Sequence, residues 1–202
     1  YCEAIQKTYS GGEQFFRCRI AKDGKQFEPK EIGAPPKGKS ADGRANARGI
    51  VTLYLGDTEK TALHETRTGL YDHVCIGTFE LKSPITVIDF KKINEISPFQ
   101  DGIIDDIAEL AINKKHLKQI DYEMGRVMRK SDDVLDYLPT QYIADFVRSI
   151  VSEEYPEQYA FQGIEFRSVM NLEGFNLAIF TPECFDVIDI KMKRINQISY
   201  VW

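Results

Sequence analysis

Apolar positions along the chain come in short alternating runs broken by turn residues, with a few stretches of helical period between them. Residues 15–20, Phe15-Phe16-Arg17-Cys18-Arg19-Ile20, put Phe15, Arg17 and Arg19 on one face and Phe16, Cys18 and Ile20 on the other. That pattern predicts a strand lining a polar cleft. Residues 50–55 are an apolar run bearing Tyr54 and predict a buried strand. Two more are predicted at 74–81 and 85–90, split by Lys82-Ser83-Pro84. Short runs at 163–166, 177–180, 185–190 and 195–201 predict strands that close the chain.

Helical signals are fewer. Residues 1–12 read as the tail of a helix ending at the Gly11-Gly12 break. Asp57 and Thr58 are N-cap candidates for a helix whose middle holds Glu65. Over 100–120, Ile103, Ile104, Ile107, Leu110 and Ala111 recur at helical spacing; Asp105 and Asp106 come early and Lys114 and Lys115 late, which suits the helix dipole. A further helix is predicted from Pro139-Thr140-Gln141, presenting Tyr142, Phe146, Val147 and Ile150 to the core. Residues 22–40 read as a long loop and 129–133 as a polar hinge. Many short strands with few helices predict an α+β fold. A length of 202 residues suits one domain, and a start at Tyr1 rather than Met fits a piece of a longer protein.

A composition of 43% hydrophobic and 28% charged residues is that of an ordinary globular protein. No apolar run approaches the roughly 18 residues of a membrane span. Cys2, Cys18, Cys75 and Cys184 are scattered and, with His64, His73 and His116, share no metal-ligand spacing. Free thiols in the cytoplasm and no metal are therefore expected. Charge changes the picture more. The net is −5, yet nine Lys/Arg against four Asp/Glu fall between Arg17 and Arg48. A basic segment in an acidic chain points to a local anionic ligand such as a phosphate group, rather than to nucleic acid.

That segment leads into the most informative stretch, residues 42–67. A Gly43-Arg44-Ala45-Asn46 turn, the Tyr54 strand and the Glu65 helix deliver an arginine, a tyrosine and a glutamate from consecutive elements.

Phe16-Arg17, Pro35-Pro36, Gly43-Arg44-Ala45-Asn46, Leu53-Tyr54-Leu55, Ala62-Leu63-His64-Glu65, Pro139-Thr140-Gln141 and Phe161-Gln162-Gly163-Ile164-Glu165-Phe166-Arg167-Ser168 stand in the order found in the RES domain, followed by Asn176-Leu177-Ala178-Ile179-Phe180. The chain resembles that family over about residues 15–185. The resemblance implies a split mixed β-sheet core like that of ADP-ribosyltransferases of the diphtheria-toxin type; residues 91–134 depart from it, being longer than in compact members, and read as a helical insertion at about 95–135. It implies a toxin that consumes NAD as substrate by hydrolysis or phosphorolysis of the nicotinamide–ribose bond, or that ADP-ribosylates a protein; a module that binds NAD or ADP-ribose without cleavage is the rival reading. A helix-turn-helix antitoxin, a fused N-terminal domain and a homodimer are the implied partners; the helix over 100–120 is a candidate face for the dimer.

Carried onto this sequence, the resemblance makes Glu65 the carboxylate that stabilises an oxocarbenium-like transition state. Arg44 and Arg17 become the ligands of the NAD pyrophosphate, because arginine offers bidentate donors. Tyr54 is the ring that stacks on nicotinamide or ribose, Ser168 supplies a hydroxyl to ribose or carboxamide, and Asn46 belongs to the same set while fixing its turn. Gly43 is expected to admit the ligand close to the backbone. The long basic loop is expected to shape the acceptor side.

Overall fold

A computed structural model of the chain describes residues 2–96, 107–127, 134–152 and 158–198. Eight strands form one mixed sheet: β1 (Gln6–Tyr9), β2 (Gln14–Ile20), β3 (Leu53–Gly56), β4 (His73–Leu81), β5 (Ile85–Asp89), β6 (Gly163–Arg167), β7 (Phe175–Ile179) and β8 (Phe185–Arg194). Their order is β1-β5-β6-β7-β3-β2-β4-β8. Among the described residues β5 and β6 run parallel and the other neighbouring pairs are antiparallel. The helices are α1 (Pro29–Ile32), α2 (Glu59–Thr66), α3 (Ile107–Gly125) and α4 (Leu138–Ser149). The fold is α+β, as the run of short strands predicts.

Side-chain alternation divides the interior into two cores. Ile88, Ile164, Phe166 and Ala178 point to one face and pack with Met124 of α3 and Ala144 and Val147 of α4. Leu53, Leu55, Leu177 and Ile179 point to the other, with Phe15, Phe79 and Ile32 of α1. Hence the basic loop is more than a tether: α1, begun by Pro29 and a Glu28–Glu31 capping box, buries Ile32 completely.

Several expected elements differ. Residues 3–9 form a short 3-10 turn and then β1 rather than a helix tail, because Gln6–Tyr9 pair with β5 some eighty residues away in sequence. The 50–55 strand begins only at Leu53, and β8 runs past residue 190 to Arg194 because β4 offers partners down to His73; residues 195–198 are outside any strand. The helix expected over 100–120 reaches Gly125, so Lys115 is mid-helix, while 100–106 and the hinge at 129–133 lie outside the described residues. In α4, Val147 is buried and Ile150 half-buried, but Tyr142 and Phe146 face outward, 77% and 55% exposed. Cys18, Cys75 and Cys184 form no disulfide. Among the described residues no helix is long and apolar enough to cross a membrane.

One buried charge needs compensation. Glu165 on β6 is fully buried and accepts from Tyr9 Oη, Lys91 Nζ and Lys7 Nζ, the last at 3.2 Å. Asp89 lies beside it, and burial, then the Glu165 charge, raise the Asp89 pKa. Both lysines also sit over Phe175, at 4.9 and 4.1 Å from the ring centroid. Glu165→Ala would leave the half-buried Lys7 ammonium without a carboxylate and Lys91 with Asp89 alone, at 4.0 Å, so we expect a loss of about 3 kcal/mol in urea denaturation, with Lys7→Met costing less because Glu165 keeps Lys91 and Tyr9.

Candidate active site

A cavity opens where β2 and β3 part. The two strands pair only at Phe16–Gly56; beyond it Phe16, Arg17, Cys18, Arg19 and Ile20 all line the opening, together with Tyr54, Leu55 and Gly56. Both faces of β2 reach the gap, so the alternation that predicts a polar cleft on one side only is overridden. The cavity measures about 660 Å³.

Helix α2 walls one side. Thr58 caps it, accepting from the Thr61 amide at 3.1 Å, and Arg67 ends it in the left-handed region at φ 51°. Gly56 allows β3 to end directly against the helix, since a Cβ there would stand 2.9 Å from the Ala62 nitrogen. This packing puts Glu65, in the last turn of α2 rather than its middle, on the cavity wall. Its Oε1 accepts from Ser168 Oγ at 2.6 Å and from Asn176 Nδ2 at 2.8 Å. Ser168 itself accepts the amides of Asn171 at 3.0 Å and Met170 at 3.3 Å. Its lone pairs are thereby engaged, and its one proton is directed to Glu65. Among the described residues no hydrogen bond reaches Glu65 Oε2.

Arg17 and Arg44 line the same space in different ways. Arg17 gives Nη1 to the Tyr54 carbonyl at 2.9 Å, across the gap where a strand ladder would have run. Its Nε is buried without a partner, and no ion pair engages it among the described residues. Burial, and next the neighbouring Arg19, pull its pKa down to about 10. Arg44 gives Nη1 to the Glu123 carbonyl at 2.7 Å and Nη2 to the Arg126 carbonyl at 2.6 Å, at the C-terminal end of α3. Burial lowers its pKa too, opposed by Tyr137, Glu65 and Tyr54.

Tyr54 presents its ring to the cavity but spends its hydroxyl on the Gly-Arg-Ala-Asn turn. The oxygen accepts from the Ala45 amide at 2.9 Å and donates to Asn46 Oδ1 at 2.7 Å, and burial raises its pKa. Gly43 makes room for that hydroxyl: a Cβ would lie 2.7 Å from it. Asn46 is 2% exposed and holds the carbonyls of Ala41 and Ala47, while Gln141 of α4 reaches in to the carbonyls of Gly43 and Asn46.

Of the six residues singled out from the sequence, Arg17, Arg44, Tyr54 and Glu65 line the cavity. Ser168 stands behind Glu65 and Asn46 behind Tyr54, neither on the lining. The basic loop covers the second core instead of lining the cavity. Sequence reasoning missed Asn176, and with it Phe166, Tyr137 and Arg67 on the walls. A lone asparagine inside the apolar run Phe175–Ile179 was the available signal for Asn176; nothing local announced the others. Among the described residues no three His, Cys, Asp or Glu side chains cluster as a metal would require.

A search of curated proteins finds no match to the chain. The family model of the RES domain matches residues 15–202, nearly the whole chain, and that span includes every residue that lines the cavity. The chain belongs to the RES domain family, which is linked to toxins that act on NAD.

Proposed function

We propose that this protein consumes NAD by cleaving its nicotinamide–ribose bond, with water or phosphate as acceptor, and that NAD depletion is how it acts as a growth-arresting toxin or defence effector. The observation that carries the reading is Glu65, the one carboxylate on the cavity wall among the described residues, held by two donors on one oxygen beside Arg17, Arg19, Arg44 and Arg67. Four guanidinium groups favour an anionic ligand, and the volume suits a small-molecule site. A module that only bound such an anion has no need of a carboxylate at the anomeric carbon. A reaction that develops positive charge gains much.

In that reaction the C1′–N bond breaks, its electron pair passes to the nicotinamide ring, and neutral nicotinamide leaves. The ribose acquires oxocarbenium character, which Glu65 stabilises more in the transition state than in the ground state. Water then adds to C1′ and releases a proton, or phosphate adds in its place. Ser168 and Asn176 keep Oε1 occupied and so aim Oε2 at the sugar. Arg17, with its buried Nε lacking an acceptor, suits the pyrophosphate; Arg44 contributes the donors that α3 leaves free. The Tyr54 ring forms a flat wall for nicotinamide or ribose.

Nicotinamide release from NAD by the purified chain tests the reading, with ADP-ribose or its 1″-phosphate telling water from phosphate. Labelling of the protein instead would favour ADP-ribosyl transfer, and no release from bound NAD would sink the enzymatic reading. Glu65→Ala should lower the release rate about 10²–10³-fold with little change in NAD affinity. Ser168→Ala should lower it roughly tenfold, again at constant affinity, and add nothing in the Glu65→Ala background, because the serine acts through the glutamate. Arg17→Gln should weaken binding of ADP, which keeps the pyrophosphate but lacks nicotinamide, by about tenfold or more in calorimetry.

A further inference from the structure

Strand β2 brings two arginines to the cavity, and a dinucleotide's pyrophosphate accounts for one of them. Arg17 stands next to the Phe16–Gly56 pair, with its buried Nε lacking an acceptor among the described residues. Arg19 follows two residues later on the same face of the strand, about 6.7 Å farther from that pair. Glu65 belongs to the other end. Asn176, which holds it, is registered opposite Gly56, and Gly56 is registered opposite Phe16. Outward along β2 the order is therefore Glu65, Arg17, Arg19. A dinucleotide with its nicotinamide ribose at Glu65 and its pyrophosphate at Arg17 brings its adenosine ribose to Arg19. There the guanidinium is exposed to solvent but held in place: Nη1 donates to the Glu31 carbonyl of α1, and the group lies 5.3 Å from the Phe27 ring centroid. Among the described residues that line the cavity Glu65 is the one acid, so no carboxylate faces Arg19 across it.

We propose that Arg19 binds a phosphate on the 2′-oxygen of the adenosine ribose, so that NADP is taken in preference to NAD; this rests on the reading of the cavity as a dinucleotide site. The pyrophosphate carries two negative charges, which Arg17 and Arg44 match, and Arg19 is a cation that NAD leaves unused. A phosphate monoester is close to doubly charged at neutral pH and accepts a guanidinium in bidentate fashion. Dinucleotide sites that select the unphosphorylated ribose put a carboxylate at its 2′-hydroxyl, whereas those that take the phosphorylated one put an arginine there. The two phosphate positions lie at opposite edges of one ribose, a span that alternate side chains of one strand match. A free phosphate acceptor has the same chemistry, but it must reach C1′ beside Glu65 and not the far end of β2. The cleavage step is unchanged. The C1′–N bond breaks, its electron pair leaves with nicotinamide, water or phosphate adds to C1′, and the 2′-phosphate stays on the ADP-ribose product.

Nicotinamide release from NADP and from NAD tests it, beside calorimetry with adenosine 2′,5′-bisphosphate and 5′-AMP, neither of which can be cleaved at a nicotinamide bond. The kcat/KM for NADP should exceed that for NAD, and Arg19→Gln should lower their ratio about tenfold or more, through KM, with Arg19→Lys restoring part of it. The bisphosphate should bind about tenfold tighter than 5′-AMP, and Arg19→Gln should remove that difference. Both readouts are ratios on one protein, which a general loss of folding leaves unmoved. NAD cleaved as well as NADP or better, or a bisphosphate that binds no tighter than 5′-AMP, overturns the 2′-phosphate site and leaves the cleavage reading standing. A preference for the bisphosphate that depends on Arg19, with no release from either dinucleotide, supports the site and sinks the cleavage reading instead. If Arg19→Gln removes only the acceleration of NAD cleavage by inorganic phosphate, the arginine serves the acceptor and the proposal falls.

Discussion

One backbone pair, Phe16 with Gly56, carries the junction between the two halves of the sheet. Had β2 and β3 stayed paired along their length, their facing side chains would have closed the interior and there would be no cavity. They part because Arg17 stands in the gap and bonds the Tyr54 carbonyl that a strand amide would otherwise have reached. A guanidinium is wider and more polar than any ladder partner, and it props the opening that it also lines. Helix α2 depends on the same junction, since Gly56, with no Cβ, is what allows the helix to cross the end of β3 and bring Glu65 to the wall.

The protein handles its buried charges in two contrasting ways. Glu165 is met by two lysines and a tyrosine hydroxyl, so its charge is matched and the cluster ties β1, β5 and β6 together. Arg17, among the described residues, is left with a partnerless Nε and no carboxylate in an ion pair with it. A buried donor without an acceptor costs stability of about 1–3 kcal/mol, and a cost retained beside an open cavity is a reason to look for a ligand there. Glu65 lies between the two cases: Oε1 accepts two hydrogen bonds, and among the described residues Oε2 accepts none.

Arg44 links the cavity to α3, the helix that the sequence offers as a face for a dimer. By holding the carbonyls of Glu123 and Arg126 it ties the end of α3 to the Gly-Arg-Ala-Asn turn, and Gln141 of α4 grips the same turn from the other side. The two helices of this region are thus braces of the site. They are also where hydrophobic periodicity misled: Tyr142 and Phe146 follow a helical period as core residues do, but periodicity reports which residues share a face and is silent on whether that face turns inward.

Local patterns were enough for much of the rest. Alternation and turn residues marked β2, β4, β5, β6 and β7 to within a few residues, Thr58 announced the start of α2, and the ordered motifs brought Arg17, Arg44, Tyr54 and Glu65 forward as one set, because these signals reside in side chains a few positions apart. Pairing over long distances was not written there. That Gln6–Tyr9 become a strand follows from β5, that Ser168 serves Glu65 rather than facing the cavity follows from the amides of Met170 and Asn171, and that Asn176 joins them follows from the register of β7 between β3 and β6. Each depends on groups brought together by folding, whose free energy of contact has no counterpart in any short stretch of sequence.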